Sequence, residues 1–165
     1  MKKILILLLW LSPMVFVGCY SFTGASIPAD VKSFNVNYFE NQADIVVPSL
    51  SQTFTEKLRQ LIQTQTTLNQ DRLQPDVSFE GAITRYETKP MALQGDQTAQ
   101  DNRLTMTIKV SYIDFKDEKR SWEKDFTRFA DYDGDADLSS VETALIEQIT
   151  DQIAEDVFNK AFVNW

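Results

Sequence analysis

From residue 103 to 112 apolar and polar side chains alternate without a break. Leu104, Met106, Ile108, Val110 and Tyr112 fall on one side, and Arg103, Thr105, Thr107, Lys109 and Ser111 on the other. A two-residue period sends the two sets to opposite faces of a β-strand, one buried and one wet. The same period places Phe34, Val36 and Tyr38 against Ser33, Asn35 and Asn37. Residues 77–88 are less regular: Val77, Phe79 and Ile83 share a face, Gly81 lies between them, and Tyr86 is out of phase. A bulge or a close backbone approach between Gly81 and Arg85 accounts for that slip. After a turn at 116–119, Trp122, Phe126 and, beyond a change of phase, Phe129 predict a last strand ending near Ala130.

Two stretches carry the longer helical period. Leu50, Phe54, Leu58, Leu61 and Ile62 make one apolar stripe, predicting a helix over 48–65. Val141, Leu145, Ile149, Ile153 and Val157, widened by Ile146 and Phe158, predict another over 138–161. Ser49 with Gln52, and Ser139 with Glu142, have the spacing of capping boxes. The order is β-α-β-β-β-α. Two one-sided helices and a sheet with one apolar face predict an α+β two-layer sandwich of four strands, both helices on one face. The other sheet face is polar and meets water or a polar partner. Residues 89–101 have no clean period, and two readings stay open: a functional loop, or a plain extension of the hairpin.

The N-terminus follows a different pattern. Lys2 and Lys3 precede 14 residues, Ile4 to Val17, that are almost wholly apolar and interrupted by Pro13. A membrane-spanning helix needs about 20, so this is a secretory leader. The leader ends in Phe16-Val17-Gly18-Cys19, which resembles a bacterial lipobox. Cys19 is the only cysteine, so it forms no intrachain disulfide. It is expected to become the mature N-terminus, bearing a covalent lipid, and stable anchoring needs more than one acyl chain. The plainer alternative is a cleaved signal followed by an incidental thiol. Tyr20 to Gly24 contain no acid, which by resemblance to lipoprotein sorting favours the outer membrane, with the protein facing the periplasm. The chain divides into a signal peptide (1–18), a lipidated tether (19–32) and a single domain (33–165).

Composition narrows the chemistry. The formal charge is −8, and loss of the leader with Lys2 and Lys3 makes the remainder more negative still. Nucleic-acid binding, which rests on neutralising phosphates, is opposed by that balance. There is no histidine, so the usual general base and the Ser-His and Cys-His nucleophiles are missing, and no phosphate-cradling glycine motif occurs. The chain is expected to be no enzyme and to hold no cofactor beyond the lipid.

One acidic stretch tempts. Asp131, Asp133, Asp135 and Glu142 stand at positions 1, 3, 5 and 12 of an EF-hand-like loop. Ala136 occupies the position that needs glycine, the loop leaves a strand rather than a helix, and acids near a helix start are favoured anyway. A solvated turn and cap is the preferred reading, and a calcium-dependent scaffold module the weaker one.

With these parts assembled, the chain resembles the LPS-assembly lipoprotein family LptE, in its Bacteroidota form. The likeness is carried by GCYSFTGASIPADVKSFNVNYFEN (18–41), PSLSQTFTEKL (48–58), NRLTMTIKVSY (102–112), FADYDGDADLSSVE (129–142) and VFNKAFVNW (157–165). The resemblance implies two helices on a four-stranded mixed sheet, and a lipoprotein that plugs and helps assemble the LptD-type outer-membrane β-barrel. It also implies contact with lipopolysaccharide. The acidic domain departs from what a lipid A phosphate site wants. Arg85, Lys89, Arg103 and Lys109, flanking the hairpin, are the best local cations for lipopolysaccharide or the barrel wall, or else four solvated charges. A different class of function is a free periplasm-facing lipoprotein binding a small amphiphile between helices and sheet.

Overall fold

The computed structural model describes residues 26–91 and 101–163. The leader, Cys19 and the middle of the 89–101 segment lie outside them. In chain order the elements are β1 (Ser33–Val36), β2 (Glu40–Asn41), α1 (Pro48–Gln65), β3 (Asn69–Gln70), β4 (Val77–Pro90), β5 (Asp101–Asp114), β6 (Trp122–Asp133) and α2 (Leu138–Phe162). A 3-10 turn at Glu118–Arg120 joins β5 to β6. The strands form one mixed sheet in the order β3-β1-β4-β5-β6, with β2 also beside β4. β1 and β2 run parallel to β4, whereas β4-β5 and β5-β6 are antiparallel. Among the described residues the fold is α+β with two helices.

The sheet has six strands rather than four because the first expected strand is broken and a short one follows α1. β1 pairs Phe34 to Val36 with Val77 to Phe79, and β2 resumes opposite Ala82 and Ile83. Between them the chain leaves the ladder. The Phe39 amide donates to the Thr55 hydroxyl on α1 (3.1 Å), and the Phe39 ring packs edge-on against Phe54 at 4.9 Å. Phe39 therefore takes the buried place that alternation assigned to Tyr38, and Tyr38 is 58% exposed. The expected irregularity in β4 is present: Gly81 has φ +153° and the register slips between Ile83 and Arg85.

In β6 the expectation fails in an instructive way. No phase change occurs. Trp122, Phe126 and Ala130 stay on the helix side, opposite Tyr112, Ile108 and Leu104. The intervening helix-side positions are Lys124 and Arg128, which reach solvent because β6 is an edge strand. Phe129 lies on the outer face opposite Thr105.

Both helices form where expected, but neither uses its capping box. α1 starts after Val47 with no side-chain cap and carries Pro48 at its first turn, where a missing N–H costs nothing. Asp137 caps α2 by accepting the Ser139 amide at 3.1 Å. Glu142 instead accepts the Tyr86 hydroxyl (2.6 Å).

The core lies between helices and sheet. Leu50, Phe54, Leu58 and Ile62 of α1, and Ile149, Ile153, Val157 and Phe162 of α2, are wholly buried against Phe34, Phe79, Ile83, Met106 and Ile108. Val31, from the expected tether, is buried with them. The register sets the molecule's two ends. Ser33, Asn69, Val77, Asp114 and Trp122 lie at one end, and Pro90, Asp101 and Asp133 at the other. The 14 residues of β4 span roughly 40 Å. α2 returns along this length, and its Phe162 carbonyl accepts the Ser26 amide at 2.7 Å.

Candidate functional site

The outer sheet face is the broad surface that the helices leave uncovered. Alternation along β4, β5 and β6 dictates its residues, and cross-strand register decides their partners. Lys109 meets Glu123 at 2.8 Å, and the Ser111 hydroxyl donates to the same carboxylate at 3.1 Å. The hydroxyls of Thr107 and Thr127 share a hydrogen bond of 2.9 Å. Arg103 grips Asp131 with two bonds, 2.6 and 2.8 Å, while its guanidinium lies 3.6 Å from the centre of the Phe129 ring. Such forked pairs are geometrically specific. The Lys109 ammonium holds the Glu123 carboxyl below its ordinary range, and Arg103 does the same to Asp131.

Two of the four expected cations, Lys89 and Arg103, come together, and Arg85, opposite Thr107 at mid-ladder, stands between them and Lys109. Lys89 is directly opposite Arg103 across the β4-β5 ladder, and Arg85 lies on the same face. Glu87 stands between Arg85 (3.6 Å) and Lys89 (3.1 Å) and neutralises part of both. Lys109 is six residues along β5 from Arg103, roughly 20 Å away. It borders an open outer-face groove of about 430 Å³ shared with Asn37, Tyr38, Glu40, Gln42 and Glu80. Each of the four has a carboxylate neighbour, so they make a charge-interleaved surface, not a converged anion cradle.

The inward-facing cations of β6 escaped notice in the sequence. Lys124 and Arg128, with Asp156, Asn159 and Lys160 of α2, line a groove of about 470 Å³ along the sheet edge. Arg128 makes bonds of 2.6 and 2.7 Å to Asp156, and Lys124 lies 5.2 Å from the centre of the Phe126 ring. Unbroken alternation through Trp122, Lys124, Phe126, Arg128 and Ala130 was the signal that could have found them.

The acidic loop does not assemble. Asp131 is held by Arg103, and Asp133 accepts the Asp135 amide at 2.9 Å. Glu142 is engaged by Tyr86, whose hydroxyl is pushed up by burial and then by that carboxylate. Among the described residues no three His, Cys, Asp or Glu side chains converge on a point that could hold a metal ion. Nor is any helix among them long and apolar enough to cross a membrane.

Known proteins share this architecture. A minor lipoprotein of Acinetobacter baumannii superposes with a TM-score of 0.52 at 13% identity, covering 79% of this chain and 91% of that one. The uncharacterised lipoprotein B of Nitrosomonas europaea gives 0.52 at 12% identity, covering 81% and 82%. The rare lipoprotein B of Shewanella oneidensis gives 0.50 at 12% identity, covering 76% and 91%. At these identities the likeness is one of fold. No curated sequence matches the chain. The LptE lipopolysaccharide-assembly family model matches residues 31–161, from the buried Val31 to the last turn of α2, and the chain therefore belongs to that family.

Proposed function

We propose that this protein is an outer-membrane lipoprotein, held by a lipid on Cys19, whose domain plugs and helps assemble an LptD-type β-barrel that places lipopolysaccharide in the outer leaflet. The observation that carries this is the outer sheet face: wide, polar and paired within itself, with Lys109 on Glu123 and Arg103 on Asp131. A wide barrel has a polar, wet lumen. A surface whose charges are already paired can enter that lumen without burying a lone ion, and it meets the wall through many modest hydrogen bonds. The role is non-catalytic. Arg103 and Lys89, at the end furthest from the tether, with Arg85 and Lys109 further along the same face, are the residues proposed to meet the barrel wall or lipopolysaccharide.

The amphiphile-carrier alternative needs room between helices and sheet. That space is filled by Phe34, Phe39, Phe54, Phe79 and Phe162, all fully buried, which weighs against it.

Co-purification tests the proposal. With a tag after Trp165 and Cys19 intact, mild detergent extraction of outer membranes should bring down a large heat-modifiable barrel in equal amount. Depletion of the lipoprotein should leave that barrel misassembled. Recovery of the tagged protein alone, wholly accessible from the periplasm, would sink the plug role.

A further inference from the structure

The end of the domain where the chain enters is built to present apolar side chains to solvent. Leu73 is 92% exposed and Phe115 is 61% exposed, the first in the loop before β4 and the second in the turn after β5. Val163, just past α2, is 40% exposed at the same end.

These positions are held by specific bonds. Asp71 accepts the amides of Leu73 (2.9 Å) and Gln74 (3.1 Å), folding the loop around its own carboxylate. Asp76 accepts the amides of Lys32 (2.8 Å) and Ser33 (3.0 Å) and pairs with Lys116 at 3.0 Å. The Phe115 amide donates to the Asp76 carbonyl at 2.9 Å. Arg120 grips Asp30 at 3.1 and 2.8 Å and reaches the fully buried Asp114 at 2.7 Å. The incoming chain, the Leu73 loop and the Phe115 turn are thus pinned to one another. Exposed apolar side chains on a braced framework at the end of a lipid-anchored domain add apolar area that a membrane interface can bury.

The length of chain outside the structure says what the surface meets. From Cys19 to Ser26 is seven residues, at most about 25 Å when fully extended. The far end of β4 lies roughly 40 Å further on. A lipid on Cys19 therefore brings the Leu73, Phe115 and Val163 end to the leaflet. At this end each of the two exposed loop residues also adjoins a cation, Arg72 beside Leu73 and Lys116 beside Phe115. Asp117 and Glu118 share the Phe115 turn, so apolar insertion rather than net charge carries the contact.

We infer that this end is a membrane-contact surface, in which Leu73 and Phe115 enter the acyl boundary of the phospholipid leaflet that holds the anchor. The inference rests on Cys19 acylation and adds a second, protein-borne contact that fixes the domain's orientation. The test places a nitroxide at one position at a time through Leu73→Cys, Phe115→Cys and, as a distant control, Thr88→Cys. An acylated Cys19 cannot react, so each new thiol is the sole label site. The full-length lipoprotein is reconstituted in phosphatidylethanolamine–phosphatidylglycerol vesicles without any barrel, and collisions with oxygen and with an aqueous nickel chelate are compared. Labels at 73 and 115 should favour oxygen several-fold, and the label at 88 should favour nickel. If all three are equally open to nickel in protein whose mass confirms acylation, the contact surface is disproved and the anchor stands. If 73 and 115 are shielded only when a barrel is added, the surface is a protein interface and the proposal is overturned. Mass spectrometry showing no acyl chain removes the anchor, and the proposal falls with it.

Discussion

At the scale of single residues, Gly81 shows how one position can decide a local fold. Its φ of +153° is a conformation that side-chained residues rarely adopt, and a Cβ there would sit 1.9 Å from the Lys109 carbonyl oxygen and 3.0 Å from Phe39. Backbone cannot retreat as a flexible side chain can. Gly81→Ala should therefore destabilise the domain by about 3 kcal/mol or more, seen as a lowered urea midpoint. A loss under about 0.5 kcal/mol would mean that β4 repacks freely around this site. The anomaly was legible in the sequence, because a glycine between Phe79 and Ile83 interrupts a strand. What it serves was not legible, since the partner on β5 is 28 residues away and Phe39 arrives from a broken strand. Tyr38 was misplaced for the same reason: a two-residue period cannot see that Thr55 on α1 takes the Phe39 amide out of the ladder.

At the scale of elements, β6 shows what periodicity can hide. Lys124 and Arg128 point toward the helix layer, where binary patterning expects apolar residues. They are tolerated because the strand is at the edge and α2 offers Asp156 to Arg128. Inward-pointing charges on an edge strand also discourage pairing with another sheet. Replacing both, Lys124→Val with Arg128→Val, should change monomer stability by no more than about 1 kcal/mol, because the Arg128–Asp156 pair is half-exposed. The double variant should self-associate more strongly than the parent, read by light scattering across a concentration series. Unchanged association would show that the bare edge needs no protection. The α1 and α2 stripes were read correctly because their periods run over 18 and 25 residues. Their caps were not, because Pro48 and Asp137 were better placed than the serines that follow them.

At the scale of the whole molecule, local pattern was blind to what joins distant segments. The last residues before β1 read as a tether, yet Val31 is buried, Asp30 is gripped by Arg120 and the Lys32 amide is held by Asp76. The two polar contacts cross 44 and 90 positions of sequence and leave no period. The broader identity was legible only through likeness to whole segments of a family, whereas periodicity alone reached the two-layer class. Asp76 offers a direct measure of the long-range bracing. The amide of Lys32, then the Lys116 ammonium, pull its carboxyl down to about 2 from an ordinary 3.8. The unfolded chain therefore binds the proton more readily. The stabilisation is complete above about pH 5, falls as pH drops through 3.8, and is gone below about 2. After allowance for solvent screening it amounts to about 1–2 kcal/mol near neutrality. Asp76→Asn should lower the urea midpoint at pH 7 accordingly, and the gap between variant and parent should close as pH approaches 2. Hydrogen exchange should quicken first at the Ser33 and Phe115 amides, which bond to Asp76, while β5 amides such as Ile108 stay protected. A gap that stayed constant from pH 7 to 2.5 would mean that the carboxylate's charge is not what ties the incoming chain, the Leu73 loop and the Phe115 turn into one rigid end.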